Sequence, residues 1–230
     1  MITRADVVGA LASVRDPELD EPLTELGFVA RATIEGEAVT VSLRLPTYFC
    51  APNFAFLMAD DARAALAALD GIGAVRVVLE DHFAAPEINS AVRDERGFRG
   101  AFPDETEGGL DSLRTLFRRK AFAARQGRMG ERALAAGHTL AELAALRLAD
   151  LPPGADRNRC VELRHALGLP VAEDSPAFLA ADGRPLDGAG LDRHLRIARL
   201  LRVSLEGNAG LCRSLLRTRY GIGEREEVAA

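Results

Sequence analysis

Apolar residues recur at helical spacing at Val7, Val8, Leu11 and Val14, and Asp16-Pro17 closes that stretch, because the residue before a proline is pushed out of the α region. The chain is thus expected to open on a short amphipathic helix. From Phe28 the period changes to two: Phe28, Ala30, Ala32 and Ile34 alternate with Val29, Arg31, Thr33 and Glu35. The chain then turns at Glu35-Gly36-Glu37 into a second alternating run, Val39, Val41, Leu43 and Leu45, which predicts a β-hairpin. A helical stripe follows from about Asn53 to Leu69, carried by Phe54, Leu57, Met58, Ala62, Ala65 and Leu69. Asp70-Gly71-Ile72-Gly73 ends it before a third strand, Val75 to Glu80. A strand, a helix and a strand in succession imply a crossover and parallel pairing of the two strands. The pattern predicts a small αββαβ two-layer sandwich over residues 1–92.

Residues 93–109 are charged, contain glycine and lack periodicity, which reads as a linker. Beyond it helical patterns dominate, with Leu113, Leu116, Phe117, Ala121 and Ala124 in one segment and Leu140, Leu143 and Leu146 in another, where Thr139 and Glu142 resemble a capping pair. Leu151-Pro-Pro-Gly is a stop, Cys160, Leu163 and Leu167 mark a further helix, and Phe178 to Pro185 reads as an extended piece with a turn. Two last helices are expected over Leu191–Arg202 and Asn208–Tyr220. The fold class is therefore α+β, with the sandwich followed by a mainly α-helical extension over residues 110–230.

Composition narrows the function. With 230 residues and 48% hydrophobic content the chain has enough material for one or two ordinary cores. No apolar run approaches the ~20 residues of a membrane span, and the N-terminus lacks a basic-then-apolar leader pattern, so a cytoplasmic location without membrane association is expected. Three cysteines, at 50, 160 and 212, make no disulfide framework and no Cys-x-x-Cys pair. Residues 1–92 hold 6 Lys/Arg against 14 Asp/Glu, while the remainder is mildly basic. The overall charge of −5, the absence of Trp and the presence of only two Tyr argue against nucleic-acid binding. The Arg114, Arg118, Arg119 and Lys120 stretch reads as a solvated face, or as a dock for an acidic surface. No Gly-x-x-x-x-Gly-Lys loop, Gly-x-Ser-x-Gly elbow or His-Glu-x-x-His pattern occurs, so nucleotide hydrolysis, serine hydrolysis and zincin chemistry lack their parts.

Cys50 stands out chemically. It sits between the second predicted strand and the following helix, where unpaired N–H groups and the positive end of the helix dipole favour a thiolate. It is a candidate metal ligand or nucleophile, with a half-buried small hydrophobe as the alternative. Four landmarks then appear in order: Asp16-Pro17-Glu18-Leu19, Leu26-Gly27-Phe28-Val29, a strand ending in Thr47-x-x-Cys50, and Gly71-Ile72-Gly73 with Val75-Arg76-Val77. Through these the first 90 residues or so resemble the PaaD/SufT-like iron–sulfur cluster assembly domain family. That family shows a Thr-x-Gly-Cys-Pro-like loop, where this chain has Thr47-Tyr48-Phe49-Cys50-Ala51-Pro52, with aromatics in place of small residues and the proline displaced by one.

The resemblance implies that Cys50 is the reactive or cluster-contacting thiol and that Asp16, Glu18 and Thr47 line its pocket; the carboxylates have an alternative role in capping the turn after the first helix. A soft thiolate suits an iron–sulfur unit, held transiently, but a conventional cluster takes about four protein ligands. Cys212 is the second candidate ligand, in a Gly207-Asn208-Ala209-Gly210 segment expected to start a helix and to allow close backbone approach. A homodimer with Cys50 and Cys212 from each protomer would supply four sulfurs. Packing under the last helix is the other role open to Cys212. Cys160 lies on an apolar stripe and is expected in the core. His82 is a candidate imidazole at the same rim, with a surface or structural role as its alternative.

The resemblance implies an accessory metallocentre maturation factor that binds or relays iron or an iron–sulfur unit to a client metalloenzyme. PaaD-like relatives accompany aromatic-ring oxygenation systems, and the helical extension resembles accessory proteins of bacterial di-iron monooxygenases, which points to a hydroxylase or its reductase as client and to the extension as the client-recognition part. Two alternatives stand beside it: a thiol-dependent enzyme using Cys50 as nucleophile with His82 as base, and a structural adaptor without chemistry.

Overall fold

The computed structural model describes residues 2–104 and 109–222. The described residues fall into two compact units, one made of those up to 110 together with 207–222 and the other of 111–206. In the first, α1 (Arg4–Ser13) starts at a capping box in which the Thr3 hydroxyl accepts from the Asp6 N–H and the Asp6 carboxylate accepts from the Thr3 N–H. It ends at Val14, which is extended and buried, two residues before the expected stop at Asp16-Pro17. A one-turn α2 (Leu23–Leu26) follows, closed by Gly27 at φ 76°, a left-handed conformation that glycine adopts without strain. A Cβ at Gly27 would also meet Leu216 at 3.3 Å.

The hairpin forms as the alternation predicts. β1 (Val29–Glu35) pairs antiparallel with β2 (Ala38–Arg44), and Gly36 takes the turn at φ 65°. The helix α3 (Pro52–Ala67) crosses over to β3 (Ala74–Glu80), which pairs parallel with β2, so β2 is the central strand. Val39, Val41, Leu43, Val77 and Leu79 alternate along β2 and β3 and are buried in one core with Phe56, Ala59, Ala62 and Leu66 of α3. The α+β class and the αββαβ order are as the sequence pattern predicts.

Two more helices continue the unit into the expected linker: α4 (Ala85–Arg93), which buries Ile88, Ala91 and Val92, and α5 (Gly97–Ala101). Phe98 packs edge-on against Phe56 and tilted against Phe102, so this segment is tied to the core by aromatic contact that its charge density masks in the sequence. Residues 105–108 of that expected linker lie outside the described residues.

The second unit is helical: α6 (Gly109–Ala135), α7 (Leu140–Ala145), a 3₁₀ turn at Leu148–Asp150, α8 (Ala155–Ala166) and the first part of α9 (Gly188–Tyr220). Thr139 and Glu142 make the capping box that their spacing suggests. Phe178 to Pro185 is an extended piece closed by a bridge between Leu179 and Pro185, with Gly183 at φ 87°. Gln126, fully buried, holds it by donating to the Leu179 carbonyl at 3.0 Å and accepting from the Leu179 N–H at 2.8 Å. Cys160 is in this core as expected, and burial pushes its thiol up to about 11.

The two helices expected over Leu191–Arg202 and Asn208–Tyr220 are one. α9 runs unbroken through Gly207 and Gly210, since neither glycine adopts positive φ and isolated glycines weaken a helix without ending it. Its last part, with residues up to 222, belongs to the first unit, where Ala209 and Leu216 are buried in the core. Among the described residues no helix is long and apolar enough to cross a membrane.

Candidate functional site

Cys50 lies one residue before Ala51, the N-cap of α3, and Pro52 occupies the first turn, where its missing N–H removes no helical bond. The loop is held at three points. The Thr47 hydroxyl and the Cys50 sulfur lie 3.3 Å apart, the Phe83 N–H donates to the Tyr48 carbonyl at 3.2 Å, and His82 Nε2 bonds the Cys50 carbonyl oxygen at 2.7 Å. Because His82 Nδ1 accepts from the Ala84 N–H, the ring proton is assigned to Nε2, which donates to that carbonyl. The buried His82 side chain therefore braces the Cys50 backbone and has both nitrogens engaged.

Four of the expected pocket residues come together. Asp16, Glu18, Cys50 and Cys212 line one cavity of about 140 Å³, whose apolar wall includes Phe28, Phe54 and Met58. Thr47 reaches it through its contact with Cys50. Asp16 caps its own turn, its Oδ1 accepting from the Glu18 and Leu19 N–H groups at 2.8 Å each. That capping role was one of the two readings open to it, and the cavity supplies the other. Burial outweighs the two hydrogen bonds and raises its carboxyl to about 6, with the charges of Glu18 and Glu21 adding to the rise.

Cys212 arrives on α9, well inside the helix. The expected helix start at Gly207–Gly210 is corrected: a Cβ at Gly207 or Gly210 would meet nothing within 4 Å, so neither glycine serves a close backbone approach. Cys212 is instead placed by the side chains around it. Arg213 pairs with Glu21, and Arg219 donates to the Leu45 carbonyl at 3.0 Å and to the Asp81 carbonyl. Tyr220 lies against two guanidinium groups, with Arg44 4.9 Å and Arg219 5.1 Å from its ring centre. Burial pushes the Cys212 thiol up to about 11, and the negative charges of Asp16, Cys50 and Glu18 act in the same direction, against Arg213. The cavity thus offers two sulfurs and two carboxylates. Among the described residues no group of three or more His, Cys, Asp or Glu side chains is arranged to hold a metal ion.

Sequence reasoning missed the aromatic rim. Tyr48 and Phe49 are exposed beside Cys50, and Phe83 joins them from the loop after β3, with Phe49 and Phe83 ring centres 5.8 Å apart. The signal was present in the bulky Tyr48-Phe49 pair, but nothing in the chain connects it to Phe83 without the fold.

Residues 4–78 match the model of a family described as iron-sulfur cluster assembly protein. The chain is also similar to an uncharacterized protein of Methanocaldococcus jannaschii, 28% identical over 96 residues that make up 41% of this chain and 99% of that relative. The matched segment holds the turn of Asp16, the loop of Cys50, β2 and most of β3, between which α3 crosses, so it is the N-terminal domain of this chain that is similar to the iron–sulfur cluster assembly protein family.

Proposed function

We propose that the protein takes iron or an iron–sulfur unit as cargo at the Cys50 and Cys212 cavity and relays it to a client metalloenzyme. The family of the N-terminal domain carries the general role in iron–sulfur assembly or maturation. The observation that supports the site is the convergence of two thiols, distant in sequence, with Asp16 and Glu18 in one cavity. Soft sulfur ligands suit an iron–sulfur unit, and one chain supplies only two of the four protein ligands that such a unit takes. Client recognition falls to residues 111–206, because residues 207–222 help to build the cargo cavity. A multicomponent monooxygenase is the client class that the resemblance favours.

The competing thiol-enzyme reading needs a base on the Cys50 sulfur. His82 is engaged on the Cys50 carbonyl instead, which favours cargo binding over catalysis.

Anaerobic reconstitution of the full chain with ferric iron and sulfide tests the proposal. Visible charge-transfer absorption is expected in the parent, weakened in Cys50→Ser and in Cys212→Ser, together with transfer of the unit to an apo-ferredoxin acceptor. Undiminished absorption in the Cys50→Ser, Cys212→Ser double variant would overturn it.

A further inference from the structure

The loop that presents Cys50 also presents the most exposed large apolar side chain among the described residues. Phe49 is 75% exposed, Tyr48 48% and Phe83 44%. The Tyr48 and Phe49 rings meet edge-on with centres 4.9 Å apart, and the two loops that carry the three rings are fastened by the Phe83 N–H to Tyr48 carbonyl bond and by His82 on Cys50. Rings held in this way lose little freedom on contact, which is the property of an interface anchor. Next to Cys212 in the chain, Leu211 is 58% exposed, so each of the two cavity cysteines has an exposed apolar neighbour.

Ligand number decides what covers this face. One cavity provides two sulfurs and a [2Fe–2S] unit takes four protein ligands, so the site is half a coordination sphere. Resting on the cargo reading above, we infer that a second copy of this chain packs against the Tyr48, Phe49 and Phe83 face when cargo is bound, with Cys50 and Cys212 of both copies holding one [2Fe–2S] unit between them. Two ferric ions, two sulfides and four thiols assemble with release of four protons and no change of oxidation state. Without cargo, association is opposed by charge, because it brings Asp16 and Glu18 of each copy toward those of the other. The four iron–thiolate bonds that join the two copies outweigh that repulsion, since the assembled unit of two ferric ions, two sulfides and four thiolates is itself a dianion. The contact is therefore conditional on loading: the apo chain is a monomer and the loaded chain a dimer.

Light scattering on a sizing column, with iron counted per chain, tests this before and after anaerobic reconstitution with ferric ammonium citrate and lithium sulfide. The expected result is doubling of the apo mass on loading, one iron per chain, and reversal by a chelator. The exposed-residue variant Phe49→Ser, Phe83→Ser is expected to remain monomeric when apo and to dimerise at least tenfold more weakly when loaded. Iron uptake by a parent protein that stays monomeric overturns this inference and leaves the cargo reading standing. Equal dimerisation of the serine variant also overturns it, and no uptake by the parent overturns both.

Discussion

His82 and Cys50 are coupled through the backbone: the imidazole Nε2 donates to the Cys50 carbonyl oxygen at 2.7 Å while Nδ1 accepts from Ala84, so the ring sets the position of the loop without touching the sulfur's chemistry. Replacing His82 by Ala leaves a carbonyl and an N–H without partners and is expected to cost about 1–3 kcal/mol of stability, read as a drop in thermal midpoint. His82→Gln should leave the pH profile of Cys50 alkylation, followed by mass spectrometry, unchanged. A lost inflection near neutrality would return His82 to the role of base.

Asp16 predicts a pH dependence of stability. Its carboxyl is raised from 3.8 to about 6 in the folded chain, so the unfolded state releases this proton first as pH rises. The favourable contribution is complete below about pH 4 and is lost as pH climbs through about 6, by roughly 3 kcal/mol at most. Asp16→Asn keeps an oxygen for the Glu18 and Leu19 N–H groups and removes the charge. Denaturant titrations should show the parent losing stability relative to this variant between pH 4 and 7.

With its thiol pushed up to about 11, Cys212 should react slowly with iodoacetamide at pH 8 and about tenfold faster for each pH step above it. Arg219→Ala removes the donor to the Leu45 and Asp81 carbonyls and is expected to speed Cys212 modification several-fold at fixed pH by loosening the end of α9. An unchanged rate, by peptide-resolved mass spectrometry, would count against that fastening.

Two glycine-to-alanine changes in helices should act with opposite sign. At Gly210 of α9 a Cβ meets nothing within 4 Å, so Gly210→Ala is expected to stabilise by about 0.5–1 kcal/mol. At Gly127 of α6 a Cβ would come within 2.7 Å of the Ala198 Cβ, a contact with no flexible arm to give way. Gly127→Ala should lower the thermal midpoint, and Ala198→Gly in the same chain should recover most of the loss.

Much of the first unit was legible in the chain because period alone fixes it: two for Val39, Val41 and Leu43, and close to four for Phe54, Met58, Ala62 and Ala65. Cys50 was visible as a candidate because it stands at a helix edge, and Asp16 and Glu18 because their stretch resembles a landmark of the assembly family. What could not be read was adjacency. Phe98 looks like part of a charged linker until Phe56 is seen beneath it. Gly207 and Gly210 suggested a break in α9, but local preference for a helix end is weak against the packing of Ala209 and Leu216 on the core. His82 showed its chemistry but not its partner, because a hydrogen bond to a backbone carbonyl leaves no mark on residue type.

Cys212 reaches the cavity on the last turns of α9, long after every other wall residue in the order of synthesis. A ribosome-bound chain can fold the sheet with its crossover helix and still own only one of the two sulfurs. The cavity wall is therefore complete only once Cys212 has been made, and a chain stopped before it would carry a naked Cys50 beside its aromatic rim.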